Sequence, residues 1–392
     1  MPAQLGSCAG IAVCARRTAG SRTHLAPAAA GGTPHRRVAA PPGPGSNAED
    51  LASGSGTDAE HLIPRVPYLP APPARTLAPV KPAPALLVQQ LTAKARATAH
   101  ARSSTCPCGA ATLADRPDGI VVRHADTVAK AHPEDTDPSG LTTRLTIATH
   151  HPGILLPPLV PTPADLHGRL VTFWPYGIPV DPDTPDAAPW EAAATLLARL
   201  HRTPVPPGLP TMRGPAKAAR AVARLRAAGP HPAATPVLRA WDTLPAWARG
   251  EAPMPHTGTL CHGDLHLGQL IRHPAPEGPW LLIDVDDLGV GVPAWDLARP
   301  AAWYACGLLA PGEWVRFLAA YRAEGGPAVP ADGDPWPALD VPARALTVQT
   351  AARAVAKAVA AGRPLDEVEQ SVVDACDRMA TVPPQLAQEH PK

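Results

Sequence analysis

The chain has 392 residues, enough for one large domain or two of ordinary size, and 45% of them are hydrophobic. Its 35 basic and 34 acidic residues leave a net charge of +1, and no block of like charge stands out. This balance argues against nucleic acid or an anionic membrane as the principal partner. No segment approaches the roughly 18 apolar residues of a membrane span. The irregular spacing of the seven cysteines favours a reduced, cytoplasmic protein.

Residues 1–100 are rich in Ala, Pro, Gly and Ser and contain few large apolar side chains. Such a segment buries too little surface to offset the entropy lost on ordering, so we predict that it is disordered. Within it, residues 85–102 contain no Pro or Gly, which predicts a short helix. We place the folded part from 101 onward and a tail at 383–392.

Two cysteines, Cys106 and Cys108, are separated by a single proline. This spacing is too tight for a zinc knuckle, and no second cysteine pair lies nearby. The sequence therefore argues against a metal or redox role for the pair.

Residues 101–177 are predicted to form a small lobe. Apolar residues in 119–124 and 126–132 predict two strands of a hairpin, with the turn near His124. Residues 138–150 have a helical pattern, and 169–174 predict a further strand. A sheet with one helix is the expected result.

Residues 178–382 are predicted to be mostly helical. Helices are expected at 190–202, 214–228, 235–249, 294–308, 312–324, 341–361 and 365–381, with Pro245 as a possible break in the third. A β-rich stretch, 259–285, lies among them. The predicted class is α+β and bilobal, with the ligand site in the cleft between the lobes.

The chemistry is concentrated in the segment His262-Gly-Asp-Leu-His-Leu-Gly-Gln269 and in Asp284, fifteen residues further on. Phosphoryl transfer requires a carboxylate to accept the proton of the attacking hydroxyl, and hard oxygen ligands for magnesium. In a kinase catalytic loop the base precedes the amide ligand by five positions. Asp264 and Gln269 have this spacing, and Asp284 follows on the next apolar run.

His262-Gly-Asp264 with Gln269, then Ile283-Asp284, then the segment Trp295-Asp-Leu-Ala resembles the aminoglycoside phosphotransferase-like family of kinases. The resemblance covers about residues 110–380. It implies a protein-kinase-like fold, ATP and Mg²⁺ as cofactors, and a small molecule with a hydroxyl group as acceptor. The variant of the loop found here is most similar to that of maltokinases, which favours a sugar over an aminoglycoside or an amino alcohol.

The resemblance also implies residue roles. Asp264 is the expected catalytic base, and Gln269 and Asp284 are the expected Mg²⁺ ligands. The family usually has Asn where Gln269 stands. Asp296 is expected to anchor the backbone of the catalytic loop.

Three further residues near this motif have less specific expected roles. Asp286 and Asp287 are expected to join the metal or to face the acceptor. His262 is expected to be a structural hydrogen-bonding residue.

Lys130 is one of only six lysines and lies in the middle of a predicted strand. The kinase lysine that contacts the α- and β-phosphates has this setting. The following helix, 138–150, lacks the acid that normally holds such a lysine, so Glu134, Asp135 or Asp137 is the expected substitute. No Gly-rich loop precedes Lys130.

Phe173, Trp174 and Tyr176 lie where a kinase hinge joins the lobes. Flat apolar rings suit an adenine, so we expect these residues to bind the nucleotide; ordinary packing between the lobes is the alternative.

Two other classes remain. His262, Asp264 and His266, with Asp284 or Asp286, are residue types that bind metal in hydrolases. A pseudokinase that binds nucleotide without transfer is the second alternative, and it is favoured by the missing helix acid. Neither the oligomeric state nor the acceptor follows from the sequence.

Overall fold

The computed structural model describes residues 84–100, 106–116, 119–255 and 258–381. All of them belong to one of the two units into which the chain divides; the other unit, Arg22–Lys81, lies outside the described residues. The predicted disorder of 1–83 and the predicted tail at 383–392 also fall outside them.

The N-terminal lobe contains two helices and a five-stranded antiparallel sheet. Its elements are α1 (Pro84–Ala99), β1 (Ala110–Arg116), β2 (Gly119–His124), β3 (Thr127–Ala131), α2 (Pro138–His150), β4 (Ala164–Leu166) and β5 (Arg169–Pro175). The strand order is β1-β2-β3-β5-β4. Strand β3 therefore lies at the centre of the sheet, where Lys130 is paired with Val121 on one side and Thr172 on the other.

Helix α1 corrects the predicted boundary at residue 100. Leu87, Leu91 and Ala95 recur every fourth residue, so they share one helix face. All three are buried against β2, β3 and β5. The helix lies where a short helix was expected, at 85–102, within the range assigned to disorder, and its apolar stripe completes the core of the sheet. In the part of the chain that the structure describes, the N-terminal lobe thus includes residues from 84 onward rather than from 101.

Helix α2 begins after Asp137, whose carboxylate accepts hydrogen bonds from the backbone N–H groups of Ser139 and Gly140. On its buried side, Arg144 donates through Nε to the carbonyl of Leu288, at 2.7 Å. This bond connects the helix to a loop of the second lobe.

The second lobe is mostly helical. Its helices are α3 (Trp190–His201), α4 (Gly214–Ala227), α5 (Ala234–Asp242), α6 (Ala294–Ala305), α7 (Pro311–Ala323), α8 (Trp336–Ala361) and α9 (Glu367–Thr381). Most match the predicted ranges within three residues. Helix α5 ends seven residues early, because Pro245 has no N–H to continue the helical hydrogen bonds, and α8 begins five residues earlier than predicted.

Two small sheets hold the loops of the predicted β-rich stretch. Their strands are β6 (Ile178–Pro179), β7 (Thr259–Cys261), β8 (Leu270–Arg272), β9 (Trp280–Leu282) and β10 (Gly289–Gly291). Strand β7 pairs with β10, and β8 pairs with β6 and β9. The loop 262–269 thus joins β7 to β8, and the loop 283–288 joins β9 to β10. The pairing places the two loops side by side.

The structure confirms the predicted α+β class, with a small sheet lobe followed by a mostly helical lobe. In the part of the chain described, no helix combines the length and apolar character needed to cross a bilayer.

Candidate active site

The backbone of the loop 262–269, the catalytic loop, is fixed by a fully buried carboxylate. Asp296, in the first turn of α6, accepts hydrogen bonds from the N–H groups of His262 (2.6 Å) and Gly263 (2.7 Å). His201 Nε2 lies 3.0 Å from the same carboxylate, and its Nδ1 lies 2.7 Å from the Tyr321 hydroxyl. These contacts connect the catalytic loop to α6 and α3 through buried polar groups.

Gly263 allows the catalytic loop to approach the loop 283–288 closely. Its φ of +83° is in the left-handed region, and a Cβ atom at this position would meet the carbonyl oxygen of Asp287. A residue with a side chain is therefore excluded by both conformation and space.

Asp264, the expected base, lies between two cations. Its carboxylate oxygens are 2.6 Å from Lys217 Nζ and 3.1 Å from Arg299 Nη2. Burial alone raises the pKa of Asp264, but the charges of Lys217 and Arg299 outweigh it and hold the pKa well below its usual range. The carboxylate is therefore ionised at neutral pH, as a proton acceptor must be.

Lys217 was missed by the sequence reasoning. It lies on α4 and also contacts Asp287, at 2.5 Å between Nζ and Oδ2. The scarcity of lysine, which singled out Lys130, was a signal that applied equally to Lys217. Burial raises the pKa of Asp287, opposed by Lys217 and reinforced by the nearby Asp264 charge. The two carboxylates thus share one ammonium. Each also has a second cation: Arg299 lies 3.1 Å from Asp264, and Arg213 Nε lies 3.7 Å from Asp287 Oδ1.

Asp284 has a left-handed backbone, with φ of 67°, which is uncommon for a residue with a side chain. This conformation turns its carboxylate toward Lys130, whose Nζ is 2.6 Å from Oδ1. Asp286 binds the same ammonium at 2.9 Å. Burial raises the pKa of both acids, but the charge of Lys130 outweighs it, so both pKa values are lowered.

The pairing of Lys130 differs from what was expected. None of the three candidate acids before α2 is its partner: Asp137 caps α2, and Glu134 accepts a hydrogen bond from Arg169 at 3.4 Å. Asp135 lines a nearby cavity. Helix α2 contains no acidic residue, and Lys130 pairs instead with Asp284 and Asp286 of the other lobe.

The same acids have the chemistry of a magnesium site. Carboxylate oxygens of Asp284 and Asp286 converge on one cation, the Lys130 ammonium. The side-chain amide of Gln269 lies 3.4 Å from Asp284 Oδ2, and the assignment of its oxygen and nitrogen is interchangeable. Mg²⁺ prefers such oxygen ligands, so the residues fit the metal.

The predicted aromatic hinge residues are in different surroundings. Phe173 is buried in the core of the sheet with Leu91 and Val122. The Trp174 indole donates to the Thr172 hydroxyl at 2.9 Å.

Tyr176 lies at the connection to the second lobe. Its N–H donates to the carbonyl of Asp126, and the guanidinium of Arg123 lies 3.4 Å from its ring centre. Phe173 packs in the hydrophobic core of the sheet, as in ordinary packing between structural elements. Trp174 and Tyr176 are not part of that core.

The histidines of the catalytic loop use their nitrogens for local hydrogen bonds. His262 Nε2 is 2.9 Å from the carbonyl of Ile283, and its Nδ1 accepts from the N–H of Asp264 at 3.4 Å. His266 Nδ1 accepts from the N–H of Gly268. Burial, with the positive charges nearby, lowers the pKa of His266 to about 4, so its ring is neutral. Both nitrogens of His262 thus contact backbone groups, and among the described residues His262, Asp264 and His266 do not form a group that could hold a metal ion.

A cavity of about 260 Å³ adjoins Asp286. Its walls come from both lobes, and seven of the nine residues that line it are polar or charged. They comprise Asp135, Thr136, Asp137, Leu141, Arg144, Pro210, Thr211, Arg213 and Asp286. Both signs of charge are therefore available to a polar ligand beside the carboxylates.

A stretch of the chain that includes both loops of the site matches a known protein family. A family model described as "Phosphotransferase enzyme family" matches residues 142–339. A comparison with curated protein sequences gives no match.

Solved structures also resemble the chain. A choline/ethanolamine kinase family protein from Mesorhizobium loti has 14% identity and a TM-score of 0.46, over 78% of this chain and 96% of its own. A macrolide 2'-phosphotransferase from Brachybacterium faecium has 17% identity and a TM-score of 0.42, over 75% and 99%. An ethanolamine kinase from Plasmodium vivax has 11% identity and a TM-score of 0.46, over 73% and 85%. From the family match, which spans half of the sequence including both loops of the site, the chain belongs to the phosphotransferase enzyme family.

Proposed function

We propose that the protein transfers the γ-phosphate of ATP to a hydroxyl group of a small molecule. The observation that carries the proposal is the position of Asp264. Its carboxylate is kept ionised by Lys217 and Arg299 on a loop that lies against Asp284 and Asp286. A fixed anionic base next to a group of metal-binding oxygens is the arrangement that phosphoryl transfer requires.

In this proposal the residues divide the work by charge. Asp264 accepts the proton of the attacking hydroxyl at a carboxylate oxygen. Asp284 and Gln269 hold Mg²⁺, with Asp286 beside them, and the metal neutralises charge on the phosphates when bound. Lys130, freed from the two carboxylates, is then available to the phosphate oxygens. Trp174 and Tyr176 are the proposed neighbours of the adenine.

The acceptor is proposed to be compact and polar. The cavity of about 260 Å³ is slightly smaller than the range of about 300–1,000 Å³ usual for small-molecule sites, and its charged residues favour a ligand with several polar groups. A sugar, the acceptor suggested by the maltokinase-like loop, has this character. Because the reaction depends on the ATP pool, the proposal includes a cytoplasmic location.

The test combines binding with turnover. We expect Mg-ATP to raise the melting temperature. At a hundredfold excess over Kd, binding stabilises the folded protein by about 2.7 kcal/mol. ATP consumption should appear with at least one member of a panel of sugars, aminoglycosides and amino alcohols. Binding of Mg-ATP without ATP consumption in the presence of any acceptor would favour the pseudokinase. The lack of an acid on α2 also favours this alternative. No binding and no turnover would contradict both.

Asp284→Ala separates the metal role from a structural one. We expect this variant to lose most of its Mg²⁺-dependent affinity for ATP, measured by calorimetry with and without the metal. Asp287→Asn is a matched control in the same loop, since Asp287 pairs with Lys217 and not with Lys130. Unchanged Mg-ATP affinity in Asp284→Ala would exclude the assigned role.

A further inference from the structure

Four side chains of metal-binding types meet beside the β2–β3 turn of the N-terminal lobe, and none of them belongs to the candidate active site. They are His100, Cys106, Cys108 and His124. One potential ligand atom from each lies within 4.8 Å of those of the other three. Donor atoms bound to one tetrahedral ion lie about 3.3–3.8 Å apart, because each metal–sulfur or metal–nitrogen bond is about 2.0–2.3 Å long. Shifts of about 1 Å in these side chains therefore bring the four atoms to bonding distance of one ion.

The fold brings these residues together from three segments. His100 directly follows α1, and Cys106 and Cys108 lead into β1. His124 is the last residue of β2, paired with Ala110 at the start of β1. In the sequence, the tight spacing of Cys106 and Cys108 and the lack of a second cysteine pair argued against a metal role. The structure supplies two histidines instead, one from a helix end and one from the neighbouring strand.

Among the described residues, each of the two histidines has one buried ring nitrogen without a hydrogen-bond partner. These atoms are His100 Nε2 and His124 Nδ1. His124 is only 4% exposed. Buried polar atoms without partners are rare and require an explanation, for which a bound ion is one of the few available.

The contacts within the group also fit a shared ligand. Cys106 Sγ lies 3.1 Å from His124 Nε2, and the two imidazole rings meet edge to face with centres 5.4 Å apart. Both cysteines are free thiols. Their sulfurs are thus available as donors, within 4.8 Å of a nitrogen of each ring.

We propose that His100, Cys106, Cys108 and His124 form a structural Zn²⁺ site. Two sulfur and two imidazole donors are a ligand set that suits Zn²⁺ in tetrahedral coordination. On binding, each thiol loses its proton to solvent and becomes a thiolate ligand, while the imidazoles bind in the neutral form. With four protein ligands the coordination shell is closed, so the site is structural and leaves no position for a substrate.

The position of the site indicates what the ion stabilises. It connects the end of α1 to the β1–β2 pair beside the β2–β3 turn. That turn contacts the hinge, because Tyr176 N–H donates to the carbonyl of Asp126 at 2.7 Å. The ion therefore fixes α1 on the sheet whose central strand carries Lys130.

The first experiment measures metal content. The full-length protein is purified without a histidine tag or chelator and analysed by elemental mass spectrometry. We expect about one zinc ion per chain, and near-complete loss in the double variant Cys106→Ser, Cys108→Ser. Cys306→Ser, which changes a half-buried free thiol outside the cluster, is the matched control and should retain the zinc.

The second experiment does not depend on the variants folding. Addition of Co²⁺ to zinc-depleted wild-type protein should give the visible absorption of a tetrahedral thiolate site, and Zn²⁺ should abolish it. Chelator should lower the melting temperature of the wild type, and Zn²⁺ should restore it.

Three results would overturn the proposal. The first is purified protein that contains no zinc and shows no visible Co²⁺ absorption. The second is zinc retained in the double cysteine variant. The third is an intact protein mass lower by two hydrogens, which would reveal a Cys106–Cys108 disulfide. None of them depends on kinase activity, so failure of this proposal is distinguishable from failure of the proposed function.

Discussion

Asp264 illustrates how single residues acquire their chemistry. The five-residue spacing to Gln269 identified it as the base, but its protonation state depends on cations far away in sequence. Lys217 lies 47 positions before it and Arg299 35 positions after it. Their charges keep the carboxylate ionised in a buried setting where burial alone favours the neutral acid.

Replacement of the base tests its role directly. Asp264→Asn keeps the shape of the side chain but removes the proton acceptor. We expect phosphate transfer to fall by about 10²–10⁴-fold, with ATP affinity nearly unchanged. Steady-state kinetics together with calorimetric titration of ATP measure both quantities. Normal turnover in this variant would exclude Asp264 as the base.

Lys217 tunes the pH range in which that base functions. Its charge lowers the pKa of Asp264, so Lys217→Ala should raise that pKa. The acidic limb of the kcat/KM profile should then move up toward neutral pH, by about 1–3 units. Lys217→Arg retains the charge and should leave the limb near its original position. A purely structural role for Lys217 would lower activity at every pH without moving the limb.

At the level of elements, α1 shows how a helix in a proline-rich region becomes part of the fold. Its sequence has no capping signal and an ordinary composition, but Leu87, Leu91 and Ala95 form a stripe that fits the sheet. Burial of that face, rather than helix propensity, provides most of its stability.

The packing of α1 can be measured with two leucines on the same helix. Leu91 is fully buried and Leu86 is 42% exposed. We expect Leu91→Ala to reduce the free energy of unfolding by about 2–5 kcal/mol, and Leu86→Ala to change it by less than about 0.5 kcal/mol. Denaturant titration measures both. Equal small effects would show that α1 does not contribute to the folded core.

At the level of the whole molecule, Lys130 connects the two lobes. It extends from the central strand of the sheet to Asp284 and Asp286 in the helical lobe. These carboxylates repel each other, which the ammonium offsets. The lysine thus has the position in which a magnesium ion is proposed to bind.

Exchange between the lysine and the metal gives a testable difference. In Lys130→Met the two carboxylates face each other without a cation, so Mg²⁺ should raise the melting temperature more than it does in the wild type. Lys130→Arg retains the positive charge and should resemble the wild type. An equal Mg²⁺ shift in all three proteins would argue against a shared position for the ammonium and the metal.

The sequence by itself determined most of the helices and strands and the residue types that make up the site. Local apolar periodicity gave the ranges of α2, β2 and most helices, because these patterns reflect which face of an element is buried. The motif around Asp264, Gln269 and Asp284 indicated phosphoryl transfer, because that reaction limits the residue types and spacings that serve it.

Only the tertiary structure decided the partners. Lys217 beside Asp264, Lys130 on the acids of the opposite lobe, and His100 and His124 beside the cysteine pair all join residues distant along the chain. Electrostatic and metal-binding contacts depend on separations of a few ångströms in space, which no local pattern records. The burial of Phe173 in the sheet core has the same cause, since its environment is set by a helix that begins ninety residues earlier.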